Sequence, residues 1–234
     1  MDLSELLGFG NYKDWHCKFP FERLSTDNHA QEIIKPELRI NQLAERVELL
    51  DARILELGCL EGCHSMMLHE LGAKEIIAIE GRKDSFLKCL IVKNAFRLTN
   101  CKFLLGDINQ ILYSLPTHFD LCLALGILYH LNNPISIMHR IGEISDKLFA
   151  WTHFATKDYP EGPLREIKHN NYTYRGKYIR EDVDNNLSAL DKKSFWIFED
   201  DLLAAILDSG FKNIEIIKKE NHENGPAITF LAQK

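Results

Sequence analysis

Three acids and two histidines stand at or near the ends of apolar runs in this chain. Glu56 lies in the run Arg53–Leu57 and begins the pattern Glu56-x-Gly58-x-x-x-Gly62. Glu80 closes Glu75–Ile79, Asp107 follows Lys102–Leu105, His130 follows Phe119–Leu125, and His153 sits at the end of Lys147–Phe154. Glycine accepts positive φ and lets a ligand approach the main chain, so a strand that breaks at Gly58 can bring backbone amides to a ligand. A carboxylate can accept two hydroxyl hydrogen bonds at once. A histidine that titrates near neutrality can take a proton from a hydroxyl. For His130 a proton-accepting role and a loop-fixing role are both open. For His153 a structural or substrate-positioning role stands ahead of that of a base. Tyr129 lines a cleft or packs in the core.

The elements that must position these residues alternate between strand and helix. The runs named above read as five buried strands, with Phe119–Leu125 apolar almost throughout, as a strand covered on both faces should be. Helical spacing is predicted over Lys35–Leu50, Ser65–Leu71, Ser85–Leu98, a short stretch near Asn109–Ser114, Pro134–Ile144 and Phe198–Asp208. Gly72 and Gly210 end two of them. Asn213–Ile217 and Ala227–Ala232, joined through Asn221–Pro226, read as an antiparallel hairpin at a sheet edge. This alternation predicts an α/β fold: a Rossmann-like, doubly wound, seven-stranded sheet with an antiparallel terminal hairpin. Residues 1–50 are expected to form an N-terminal helical and aromatic cap carrying Phe9, Tyr12, Trp15, Phe19 and Phe21, with surface packing as the plain alternative. Residues 51–234 are expected to form the main domain, with a lid-like insertion at 155–194 that is too long for an ordinary connection.

Composition narrows the function. Of 234 residues, 45% are hydrophobic and 26% charged, which predicts an ordered core. A net charge of −6 argues against tight non-specific binding to nucleic acid. No apolar run is long enough to span a bilayer, and the N-terminus lacks the pattern of a secretory signal. The six cysteines form no Cys-x-x-Cys pair, so buried, reduced thiols in a cytoplasmic protein are expected, with no metal site.

Taken in order, Glu56-x-Gly58-x-x-x-Gly62, Glu80, Asp107 and Gly126-Ile-Leu-Tyr-His130 resemble the markers of class I S-adenosylmethionine (SAM) dependent methyltransferases. The segment Leu125–Pro134 is similar to the GVLYHL-type segment of methyltransferases related to tRNA wobble-uridine modifiers and of assorted small-molecule methyltransferases. The resemblance implies that Glu56, Gly58, Cys59 and Gly62 lie against the methionine and ribose end of SAM. It implies that Glu80, with Gly81, takes the ribose hydroxyls, that Asp107 and the amide of Ile108 take adenine, and that Gly126 leaves room at the methyl donor. Leu60 stands where the family places a middle glycine. Plain alternatives remain: a strand-end surface acid for Glu80, a helix N-cap for Asp107, a solvated or helix N-terminal charge for Glu61, and packing for Cys59 and Cys63. A nicotinamide-binding Rossmann domain would need Gly-x-Gly-x-x-Gly, which Gly58 and Gly62 do not supply.

Within the insertion, Arg165, Lys168, Arg175, Lys177 and Arg180 are interleaved with Tyr172, Tyr174 and Tyr178. Tyr129, Tyr172, Tyr174 and Arg175 are the candidate acceptor contacts. Basic and aromatic residues so mixed can hold phosphate and stack bases, but Glu181, Asp182 and Asp184 dilute such a groove. The favoured expectation is methyl transfer to a small molecule, O-methylation ahead, with His130 and His153 as the catalytic candidates. A tRNA-modifying enzyme and a non-catalytic SAM-binding scaffold are the alternatives. The oligomeric state is open.

Overall fold

The computed structural model describes residues 15–17, 19, 38–115, 118–185 and 187–234. Phe9, Tyr12, Phe21 and most of the expected N-terminal cap lie outside them. The described elements are α1 (Leu38–Ala44), β1 (Arg53–Leu57), α2 (Cys63–Glu70), β2 (Glu75–Glu80), α3 (Lys83–Ala95), β3 (Cys101–Leu105) and α4 (Ile108–Ser114). They continue with β4 (Leu121–Leu125), a 3-10 turn at Leu128–His130, α5 (Pro134–Ile144), β5 (Lys147–His153), β6 (Arg165–His169), β7 (Tyr172–Arg180) and β8 (Lys193–Ile197). The last elements are α6 (Glu199–Asp208), β9 (Asn213–His222) and β10 (Gly225–Gln233).

Seven strands form one sheet in the order β3-β2-β1-β4-β5-β10-β9. β1 pairs in parallel with both β2 and β4, so the strand order reverses between β1 and β4. The crevice beyond the carboxyl ends of strands at such a reversal is where open α/β sheets bind ligands. β10 runs antiparallel to β5, from Ala227 opposite His153 to Gln233 opposite Lys147, and β9 closes the edge.

Alternation along β1 divides the core into two layers. Leu55 and Leu57 pack with α4, α5 and α6, through residues such as Leu112, Ile141 and Ile206. Ile54 packs on the other side with α1, α2 and α3, through Leu43, Leu68 and Val92. All five residues of β4 are buried, as its continuous apolar run predicts.

The insertion holds regular structure that the sequence did not reveal. β6, β7 and β8 form a three-stranded antiparallel sheet. It is tied to the main body where the Phe195 amide donates to the Leu131 carbonyl at 2.9 Å and where Ala155 bridges Phe198. The hairpin strand β9 also runs past the expected end to His222, the second residue of the stretch read as a polar turn.

Candidate functional site

The first half of the site lies at the ends of β1, β2 and β3. After Leu57 the chain turns through Gly58 (φ 68°), Leu60 (φ 51°) and Gly62 (φ 82°) into α2. The turn therefore keeps a glycine-like backbone at Leu60, at a cost on the order of 1–2 kcal/mol for a residue with a Cβ. At Gly58 an added Cβ would lie 3.0 Å from Ile127, so the two strand ends approach closely there. The Gly58 amide donates to the Ile79 carbonyl at 2.9 Å, which joins the turn to β2.

Glu56 is buried, and its carboxylate accepts from Ser65 Oγ and, at 3.2 Å, from His64 Nδ1 in the first turn of α2. Glu80 is 6% exposed, and its oxygens accept from the amides of Leu60 and Arg82, each at 2.8 Å. Burial pushes the Glu80 carboxyl above its ordinary range, against the amides of Arg82, Leu60 and Gly81 that hold it down. Asp107 is the N-cap of α4 and accepts from the Asn109 amide at 2.8 Å, so the capping reading of this residue holds in the structure. The Ile108 side chain is buried behind it. Cys59 is buried, its Sγ 3.6 Å from that of Cys89, and Cys63 is half-buried.

Of the two readings of Glu61, a solvated or a helix N-terminal charge, burial removes the solvated one, and the residue stands just before the Gly62 N-cap of α2. Its side chain is fully buried and accepts from Lys88 Nζ at 2.7 Å, from the Cys17 amide at 2.8 Å and from the His16 amide at 3.2 Å. It fastens the described part of the N-terminal segment to the glycine turn. Trp15 and Phe19 pack edge to face there, with Phe19 against Phe96 of the α3 C-cap.

The second half lies at the ends of β4 and β5. Gly126 (φ 86°) opens space beside Tyr129 and Trp151. Tyr129 touches both candidate histidines, its ring centroid 4.1 Å from that of His130 and 4.6 Å from that of His153. Trp196 of β8 stacks on His153 at 4.7 Å, and His222 of β9 packs 5.2 Å from His153. Trp151 donates through Nε1 to Glu220 at 2.9 Å. Trp196 Nε1 is buried without a hydrogen-bond partner among the described residues.

Each imidazole has one nitrogen committed. His153 Nδ1 lies 3.1 Å from the Pro226 carbonyl, which can only accept, so Nδ1 carries the proton and the neutral ring keeps its lone pair on Nε2. Burial holds the His153 pKa below its ordinary value, with His222 and His130 acting the same way and the carbonyls of Pro226 and Gly225 opposing. His130 Nδ1 donates to Glu181 Oε1 at 3.2 Å. Burial raises the Glu181 carboxyl, but the bonds from His130, Ser188 and Ser194 outweigh it and hold the group at about 2. Glu181, expected to dilute an RNA groove, is instead turned inward.

Other expected contacts stand apart from this group. Tyr174 is buried, and its hydroxyl donates to Asp208 of α6 at 2.8 Å; Tyr172 is exposed and packs against Tyr174. Arg175 is paired with Asp201 at 2.8 Å. Among the described residues no cluster of metal-ligating side chains occurs, and no helix is long and apolar enough to cross a membrane.

Residues 50–199 match the methyltransferase domain family. A tRNA U34 carboxymethyltransferase of Campylobacter fetus is 32% identical over 152 residues, which covers 62% of this chain and 51% of that protein. A second, from Campylobacter hominis, is 28% identical over 136 residues, or 56% of this chain and 44% of that protein. The chain thus spans about half the length of the curated relatives it matches. The N-terminal domain of EvdMO1 with SAH bound superposes with a TM-score of 0.79 at 22% identity, covering 100% of this chain and 97% of that one. On its matched residues and its sheet topology, the chain belongs to the methyltransferase domain family, of the class I type that uses S-adenosylmethionine.

Proposed function

We propose that this protein transfers a methyl group from SAM to a hydroxyl of a small molecule in the cytoplasm. When bound, SAM supplies the methyl group on a positively charged sulfur. The residues of the first half fit it. Glu80 is a buried carboxylate in which each oxygen holds one hydrogen bond from an amide within the chain, leaving each free to accept a ribose hydroxyl. Gly58, Cys59 and Gly62 offer main chain beside the buried carboxylate of Glu56, and Gly81 follows Glu80 without a Cβ. Asp107 Oδ1 is occupied by its cap, so Oδ2 and the Ile108 amide are the groups left for adenine. Gly126 leaves the strand end clear.

The observation that carries O-methylation is the pair of imidazoles around Tyr129, each with Nδ1 committed to an oxygen acceptor. His153, neutral near pH 7, keeps a lone pair on Nε2 that can accept a hydroxyl proton. His130 is held by a carboxylate, the arrangement that orients an imidazole for proton transfer. Tyr129, Trp151 and Trp196 pack around His153, and an acceptor fixed beside these rings would react with much of the entropic barrier already removed. The N-terminal domain of EvdMO1 was also solved in the presence of SAH and D-fucose, with a TM-score of 0.73 to this chain, a pairing in keeping with a hydroxylated acceptor.

A second reading, a tRNA-modifying enzyme, rests on the similarity to the two Campylobacter tRNA U34 carboxymethyltransferases. A non-catalytic SAM-binding scaffold is the third. Glu80→Ala is expected to weaken SAH binding at least about tenfold, near 1.4 kcal/mol. Unchanged affinity by calorimetry would remove the ribose assignment. SAH release on incubation with SAM and small hydroxylated acceptors supports the first reading, release with tRNA alone the second, and release with neither the third.

A further inference from the structure

Arg82 stands two residues past Glu80, and among the described residues its guanidinium hydrogen-bonds no carboxylate. It donates instead to three main-chain carbonyls of the insertion: Val183 at 3.0 Å, Ser188 at 3.1 Å and Ala189 at 2.9 Å. The same loop is gripped from the other side by Glu181. That carboxylate accepts from Ser188 Oγ, from the Ala189 amide at 3.2 Å and from Ser194 Oγ at 2.5 Å, while its Oε1 takes His130 Nδ1. Beyond Ala189, the side chain of Leu190 lies over the Gly81 backbone, so close that an added Cβ would sit 2.5 Å from Leu190 Cδ1. One loop is therefore bonded to both ends of the site.

We propose that Arg82 is a positioning residue: by holding the loop that carries Val183, Ser188 and Ala189, it couples occupancy of the cofactor half to the orientation of His130 through Glu181. This rests on the reading of Glu80 as the ribose acceptor. A guanidinium suits the task because its planar fork presents several donors in fixed directions, whereas a lysine offers a single point charge. The Arg82 amide also donates to Glu80, so backbone and side chain of one residue link the buried carboxylate to the loop. With Leu190 resting on Gly81, a nucleoside bound at Glu80 meets the loop directly. Its ordering then fixes Ser188 and Ala189 against Glu181, and Glu181 fixes the His130 ring.

The test uses the whole chain with SAH as the probe and needs no acceptor. Three quantities are read: SAH affinity, hydrogen exchange at the Ala189 amide, and the ring ¹⁵N shifts of His130, which report the nitrogen that carries the proton. In the wild type, SAH is expected to slow exchange at Ala189 and to sharpen the Nδ1–H form of His130. Arg82→Ala should raise the SAH Kd about tenfold, speed exchange at Ala189 several-fold and abolish the single tautomer of His130. Arg82→Lys should restore none of the three fully. Retention of Ala189 protection and of the His130 tautomer in Arg82→Ala overturns the proposal, as does a loosened loop with unchanged SAH affinity. Should Arg82→Ala fail to fold, the wild type decides, because no response of Ala189 or His130 to SAH also overturns it. Wild-type SAH affinity in Glu80→Ala instead sinks the ribose assignment, and it leaves the Arg82→Ala readings interpretable.

Discussion

At the scale of single residues, burial decides what the titratable groups do. Glu61 is a carboxylate with no solvent exposure, and it is tolerated because an ammonium and two amides face it. Glu61→Ala removes the buried acceptor that Lys88 and those amides share. It is expected to cost about 3 kcal/mol and to lower Tm by about 10 °C, as read by a thermal melt. His153 gives a pH dependence of defined sign. Its folded pKa lies below the value near 6.5 of the unfolded chain, so protons bind the unfolded state first as pH falls. Its contribution is complete above about pH 6.5 and is lost below it. His139, which burial also holds down, adds in the same direction. Tm should fall between about pH 7 and about pH 5.5, and His153→Gln should flatten part of that fall; an identical pH profile in the variant refutes the assignment.

At the scale of elements, most of the sheet was readable from hydrophobic pattern and turn residues. Arg53–Leu57 and Pro134–Ile144 have the bounds that the sequence predicts. Phe119 is not part of β4 but forms a single bridge to Ser145, which shortens the strand by its first two residues. The insertion was not readable. Arg165–His169 has one apolar residue in five, so its strand character comes from pairing with β7 and not from alternation. Packing of α5 on α6 turns on Gly142, where an added Cβ would fall 1.8 Å from the Ser209 carbonyl oxygen. Gly142→Ala must push the helices apart and is expected to cost about 3 kcal/mol in chemical denaturation. A cost under about 0.5 kcal/mol would show that the two helices adjust freely.

At the scale of the whole molecule, the charge balance bears on the choice of acceptor. With a net charge of −6, Arg175 paired to Asp201 and the buried Lys177 donating to the carbonyls of Lys157 and Pro160, only Arg165, Lys168 and Arg180 of the five interleaved cations are left for phosphate. Binding to bulk tRNA is expected to be weak, with an affinity almost independent of salt; a steep fall of affinity with salt would favour the tRNA reading. The sequence by itself determined the alternating strands and helices, the glycine turn and the acids at the strand ends. Those signals are local, because an apolar run, a break and an adjacent acid are all contiguous in the chain. Only the tertiary structure decided that Glu61 is buried, that Arg82 reaches the insertion, that Glu181 meets His130, and that Trp196 and His222 gather beside His153. Those pairs are distant in sequence, and their partners are mostly backbone atoms or faces of rings. No residue type or spacing records such a partner, since any residue can present a carbonyl and only the folded sheet brings it within reach.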